Sequence, residues 1–75
     1  MPVIVVFSTF PSEDTAADIA RTLVSEGLAA CANLVPAVRS IYRWQGELCD
    51  ERETLAMMKT TRERFEALRE RLVAL

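Results

Sequence analysis

Cys31 and Cys49 are the only thiols in a 75-residue chain that contains no histidine. Without imidazole, the commonest general base and the commonest zinc and copper ligand are both missing. Cys31 sits in the small-residue run Ala29-Ala30-Cys31-Ala32-Asn33. Two readings stand side by side: a small buried hydrophobe, or a soft ligand suited to copper(I). Cys49, beside Asp50 and Glu51, reads as an exposed bystander near a hairpin tip. The acidic run Asp50-Glu51-Arg52-Glu53 lacks the oxygen spacing and mid-loop glycine of a calcium loop, so it reads as a solvated strand end.

Other polar candidates lead away from catalysis. Ser8 and Ser12 have no base to activate them. The chain contains no GxGxxG, no phosphate-binding GxxxxGK[ST] and no nucleophile elbow. Lys59, Asn33, Ser8 and Thr9 lie near strand ends, a setting where anions can bind. Tyr42 and Trp44 fall on one face of a strand with Arg43 on the other. Base stacking is disfavoured by the negative charge and the absence of a glycine-aromatic RNA-binding motif. Packing or an oligomer interface, where Trp, Tyr and Arg concentrate, is the better reading. The sequence therefore points to a non-enzymatic protein.

Composition narrows the class further. The chain is 51% hydrophobic and 27% charged, with two glycines and three prolines. These values exclude disordered and collagen-like chains. A net charge of −2 argues against a nucleic-acid partner. The apolar start Val3-Ile4-Val5-Val6-Phe7 is too short to span a membrane and follows no basic region. The expectation is one domain over residues 1–75 in the cytoplasm. A domain of this size buries only roughly 60–65% of its unfolded surface, so it commonly needs a staple or a partner.

The elements that position these residues follow from pattern. Val3 to Phe7 runs without alternation, which predicts a strand covered on both faces. Pro11 stops it, Ser12 caps a helix over about 12–26, and Gly27 supplies the left-handed residue after its end. Ala16, Ile19, Ala20 and Leu23 form the apolar stripe of that helix. An extended stretch from Leu28 to Trp44 meets a Gln45-Gly46 turn, and Glu47 onward folds back as a hairpin. Pairing Trp44 with Glu47 puts Cys31 opposite position 60 and Cys49 opposite position 42. The thiols are then about 36 Å apart, too far for a disulfide.

The same register sets Arg39 against Arg52, a like-charge pair that a β-bulge or a carboxylate from another chain would relieve. Thr60-Thr61-Arg62-Glu63 reads as a capping box, with Thr60 bonding forward and Glu63 back, opening a helix from about 61 to the end. The order β-α-β-β-α is that of an α+β, ferredoxin-like split βαβ sandwich. That topology places strand one beside strand three and expects a fourth strand on its other edge. The chain also stops on an apolar helical position, so the protomer is expected to continue past Leu75.

At this point a family resemblance emerges. Ser8-Thr9-Phe10-Pro11-Ser12, Glu26-Gly27-Leu28-Ala29-Ala30-Cys31-Ala32-Asn33-Leu34-Val35-Pro36, Ser40-Ile41-Tyr42-Arg43-Trp44-Gln45-Gly46-Glu47 and Met58-Lys59-Thr60-Thr61 together resemble the CutA family of divalent-cation tolerance proteins. The resemblance covers essentially the whole chain. It implies a ferredoxin-like fold similar to the nitrogen-regulatory PII proteins, and a homotrimer whose long hairpins, formed by the second and third strands, pair between subunits. It also implies a link to copper and other divalent cations, with no cofactor required and copper as the candidate metal.

Family members carry a further histidine-containing segment, strand and helix, and some have a cysteine where this chain has Ser8. The resemblance thus leaves Cys31 as the metal candidate, and Asn33, Tyr42, Trp44 and Lys59 as residues of an inter-subunit cleft or interface. The alternative is a PII-like sensor holding a small anionic ligand in that cleft near Lys59 and Asn33. An acylphosphatase-type hydrolase on the same fold would need an anion-cradling arginine loop after strand one, and none is evident.

Overall fold

The computed structural model describes residues 2–75. Its elements are β1 (Val3–Phe10), α1 (Glu13–Ser25), β2 (Cys31–Trp44), β3 (Glu47–Thr61) and α2 (Arg62–Ala74). The three strands form one antiparallel sheet in the order β1-β3-β2. This is the α+β, split βαβ arrangement expected from the pattern, with strand one beside strand three.

The first helix forms where its end signals stand. Ser12 is extended and its hydroxyl accepts from the Thr15 amide at 3.1 Å, while Glu13 and Asp14 occupy the first turn, where the helix dipole favours negative charge. At the other end Gly27 takes φ 75°. Its amide donates to the Val24 carbonyl, and the Leu28 amide donates to the Leu23 carbonyl, both at 3.0 Å. That pair of bonds is a Schellman closure, which needs a residue without a Cβ penalty at its left-handed position.

Both helices cover one face of the sheet. The core is Phe10, Ala16, Leu23, Ala29, Ala56, Met58 and Leu68. Leu23, Met58 and Leu68 are its largest fully buried side chains, each contributing about 1.5–3 kcal/mol by burial. The second helix is tied to the end of the first by polar contacts. Arg71 grips the Glu26 carboxylate with two bonds of 2.9 and 3.0 Å, and Arg64 donates to the Gly27 carbonyl. The guanidinium of Arg71 holds Glu26 below the ordinary carboxylate range.

Several expectations are corrected. β1 continues three residues past Phe7, and β2 begins at Cys31 rather than at Leu28. β1 is covered on one face only, with Val3, Val5 and Phe7 exposed at 68%, 49% and 66%. The capping box does not form. Thr61, not Thr60, occupies the cap position of α2 and makes no side-chain cap bond. Thr60 is buried instead, and its hydroxyl donates to the Leu28 carbonyl at 2.6 Å. Among the described residues the buried hydroxyl oxygen of Thr61 has no partner.

The hairpin register holds from Trp44–Glu47 to Val38–Glu53, then shifts at a bulge between Val35 and Val38. Ala37 there adopts φ 59°, the left-handed conformation characteristic of one bulge class. Beyond the bulge Cys31 opposes Lys59, not Thr60. The bulge lies beyond Arg39 counted from the turn, so it leaves Arg39 facing Arg52. Relief comes from within the chain: Asp50, diagonal to Arg39, accepts two bonds from its guanidinium at 2.8 and 2.6 Å. The turn itself is as expected, with Gln45 and Gly46 both at positive φ, 50° and 81°, as a type I′ turn requires.

Candidate functional site

The face of the sheet turned away from the helices gathers most of the residues singled out above. Burial alternates along β1, so Val3, Val5 and Phe7 point to this open face. Their partners on β3 are Thr61, Lys59 and Met57. Across β3, Cys31 pairs with Lys59 and Asn33 with Met57. Cys31, Asn33 and Lys59 therefore meet on one surface, with Lys59 central.

The bulge extends this surface into the arm. Two residues of β2, Pro36 and Ala37, stand opposite the single residue Thr54, so the side-chain alternation shifts by one. Cys31, Asn33 and Val35 lie on the open face before the bulge, and Val38, Ser40, Tyr42 and Trp44 continue it afterwards. Tyr42 is opposite Cys49 and Trp44 opposite Glu47. These aromatics are brought to the same face as Cys31 but remain far out along a molecule 40 Å in its longest dimension. A fixed register through the hairpin hides this shift, and Pro36 followed by an unpaired small residue was the available signal.

The thiols are both free and both half-buried. Cys31 is therefore not the fully buried hydrophobe of one reading, and Cys49 is not the exposed bystander expected. Cys31 borders a groove of about 590 Å³ between α1 and the outer edge of β2, with Ala20, Arg21 and Val24. As a metal centre the single chain fits poorly. It offers one soft donor, on a residue paired in register with the cationic Lys59. Among the described residues no three His, Cys, Asp or Glu side chains gather as ligands.

A second cavity, of about 430 Å³, lies where β3 enters α2. Lys59, Thr60, Thr61, Arg64 and Gly27 line it, together with apolar residues that include Val24. Asn33 is not among them, so the two residues expected to share an anion cleft separate: Lys59 reaches the cavity and Asn33 stays on the sheet. Arg64 and Thr61 were missed, because an arginine inside a helical pattern reads as solvated surface. On the arm, the nearby Glu51 carboxylate, with some burial, pushes the Tyr42 phenol up to about 12. Among the described residues no helix is long and apolar enough to cross a membrane.

Comparison with known proteins places this architecture. Residues 4–75 match the model of the CutA1 divalent ion tolerance protein family. The Divalent-cation tolerance protein CutA of Thermus thermophilus is 54% identical over 71 residues, covering 95% of this chain and 69% of the relative. The CutA homolog of Xenopus laevis is 45% identical over 64 residues, covering 85% of this chain but only 42% of its own length. Among solved structures, the Thermus thermophilus protein superposes with a TM-score of 0.93 at 51% identity, covering 97% of this chain and 71% of that one. The PII-like protein CutA from Nostoc superposes at 0.87 with 41% identity, covering 95% and 66%. Other relatives carry the names chloroplastic and periplasmic, so the compartment differs among them. Fold, register and sequence together make this chain a member of the CutA1 family.

Proposed function

We propose that this chain is the protomer of a non-enzymatic homotrimer that acts in tolerance of divalent cations, copper among them. The observation that carries the reading is the open face of the sheet. Val3, Val5 and Phe7 stand exposed in a row, and surfaces of this kind mark interaction sites. Both outer strands, β1 and β2, also have a free edge in the described chain, and natural proteins rarely leave long apolar edges bare. A second and third copy supply the cover. The names of the relatives, which refer to divalent-cation tolerance, support the cellular role.

The protein then acts through its assembled surfaces, not through covalent chemistry. A thiolate is a soft donor suited to copper(I), and Cys31 is the donor proposed for a site completed by other copies. Sedimentation equilibrium of the full-length protein is expected to give three times the protomer mass, and a stable folded monomer overturns the reading. Copper(I) titration of the full-length protein and of its Cys31→Ser variant tests the metal assignment. Equal curves dismiss it.

The second reading, a PII-like sensor of a small anionic ligand, is favoured by the cavity at the start of α2. Lys59 and Arg64 border it beside a helix N-terminus, and both cations favour an anion there. A thermal-shift screen of nucleotides and carboxylates decides it, because a ligand at 100 times its Kd adds about 2.7 kcal/mol. A screen without a shift rejects it.

A further inference from the structure

The cavity where β3 enters α2 is bordered by cations that the chain leaves unneutralised. Lys59 and Arg64 line it, and among the described residues neither forms an ion pair. Among the described residues no carboxylate lines it either. Other arginines of α2 behave differently, since Arg69 binds Glu66 and Arg71 binds Glu26. Arg64 is held in place by the backbone instead, its Nη1 donating to the Gly27 carbonyl. That bond uses one of the guanidinium's five donors and leaves the others free.

Thr61 supplies an independent sign. It lines the same cavity, and among the described residues its buried hydroxyl oxygen has no partner. A buried hydroxyl left unbonded is costly, and in a native structure it calls for a partner from outside the chain. Thr61 stands at the cap position of α2 yet makes no side-chain cap bond. Its oxygen therefore satisfies none of the amides that the helix leaves unpaired. Two cations, a hydroxyl and the positive end of a helix all favour an anion rich in acceptors.

The class of anion follows from its charge and from the rest of the wall. A carboxylate brings one charge, whereas a phosphomonoester carries about −1.5 to −2 at pH 7 and three acceptor oxygens. The phosphomonoester answers Lys59, Arg64 and Thr61 together. Beside them the wall is aliphatic, with Val3, Val24 and Ala29. Among the described residues no aromatic ring lines it, so a nucleobase finds nothing to stack on. The volume of about 430 Å³ is that of a small-molecule site, with room beyond a phosphate group.

We propose that this cavity binds a small phosphomonoester, its phosphate held by Lys59, Arg64 and Thr61 and its short aliphatic body laid against Val3 and Val24. The inference rests on the second reading above, a sensor of a small anionic ligand, and names the class of that ligand.

Calorimetric titration of the full-length protein tests it with butyl phosphate, inorganic phosphate, adenosine monophosphate and butyrate. Butyl phosphate is expected to bind most tightly, with inorganic phosphate and adenosine monophosphate roughly tenfold weaker. Butyrate, with one charge, is expected to be weaker by roughly a hundredfold. Lys59→Gln and Arg64→Gln should each weaken butyl phosphate by roughly tenfold or more. Thr61→Val gives a readout that a purely structural role would not. Loss of the unpartnered hydroxyl should weaken butyl phosphate roughly tenfold, while the urea midpoint of the ligand-free protein holds or rises.

The outcomes separate the two levels. If none of the probes binds and the thermal-shift screen is empty, the sensor reading fails and takes this assignment with it. If butyrate or adenosine monophosphate binds as tightly as butyl phosphate, the ligand class is wrong while an anion sensor stands. If butyl phosphate binds the folded Lys59→Gln and Arg64→Gln variants as it binds the unaltered chain, the site is wrong. Far-UV circular dichroism verifies the fold of each. A Thr61→Val protein that loses stability and keeps its affinity assigns the hydroxyl to the fold and overturns its role here.

Discussion

Phe7→Ser separates the stability of the fold from the stability of the assembly. Phe7 is 66% exposed in the single chain, so about two thirds of its roughly 200 Å² of surface is left for a partner to cover. That is about 130 Å², worth about 3 kcal/mol at 25 cal/mol per Å². Truncation to serine removes most of it, about 2–3 kcal/mol per copy, or about 6–9 kcal/mol in an assembly of three. The protomer concentration at half-assembly follows the inverse square root of the association constant for three copies. It should therefore rise by about two to three decades. The third of the side chain already buried against its own chain limits the folding cost to about 1–2 kcal/mol.

Met58→Ala is the matching control. Met58 is fully buried on the helix-covered side, one position along β3 from Met57, which faces Phe7. Its truncation should cost about 2–5 kcal/mol of folding stability while leaving the association of folded chains nearly unchanged. Sedimentation equilibrium over a wide concentration range, with urea melts read by circular dichroism, gives both quantities. Equal half-assembly concentrations for the unaltered chain and for Phe7→Ser would refute the role assigned to the open face.

Three further perturbations test local claims. Gly27→Ala places a Cβ at φ +75° and 3.4 Å from an Arg64 guanidinium nitrogen, so the urea midpoint should fall by the equivalent of about 1–2 kcal/mol, and an unchanged midpoint would contradict the Schellman closure. Glu26 has its pKa lowered by Arg71, so its contribution is complete above the ordinary carboxylate range and is lost as pH falls through the lowered value. Glu26→Gln should flatten the acid limb of a stability–pH curve, and an identical limb in both proteins rejects the pairing. Glu51→Gln removes the carboxylate that pushes Tyr42 up to about 12. Phenolate absorbance in a spectrophotometric titration should then appear at lower pH, whereas an unmoved titration shows that Glu51 is not the cause.

What the sequence makes legible depends on the range of the physics involved. The ends of α1 are local events: Ser12 bonds three residues ahead, and Gly27 bonds back to the helix it closes. The type I′ turn at Gln45-Gly46 is equally local. The start of α2 is not. Thr60 and Thr61 are equivalent candidates for the cap, and the choice falls to Leu28, 32 residues away, whose carbonyl takes the Thr60 hydroxyl. Two adjacent threonines carry no mark of that distant acceptor. The bulge is hidden for a related reason, since one extra residue on β2 leaves each half of the strand with its own regular alternation. Lys59 opposite Cys31 follows from the bulge, and with it goes much of the chemistry of the site.

The uninterrupted run from Val3 to Phe7 raises a different kind of question. Hydrophobic patterning reports that a face must leave water; it contains nothing about which chain does the covering. A residue under a helix of its own fold and a residue under a neighbouring subunit are written with the same side chains. In this chain Ile4 and Val6 turn toward α1 and α2, whereas Val3, Val5 and Phe7 remain exposed. The structure meets half of the demand that the run makes, and the half left over is a specification for a partner. A substitution at Phe7 should therefore weaken association far more than folding, and one at Met58, on the helix-covered side, should do the reverse.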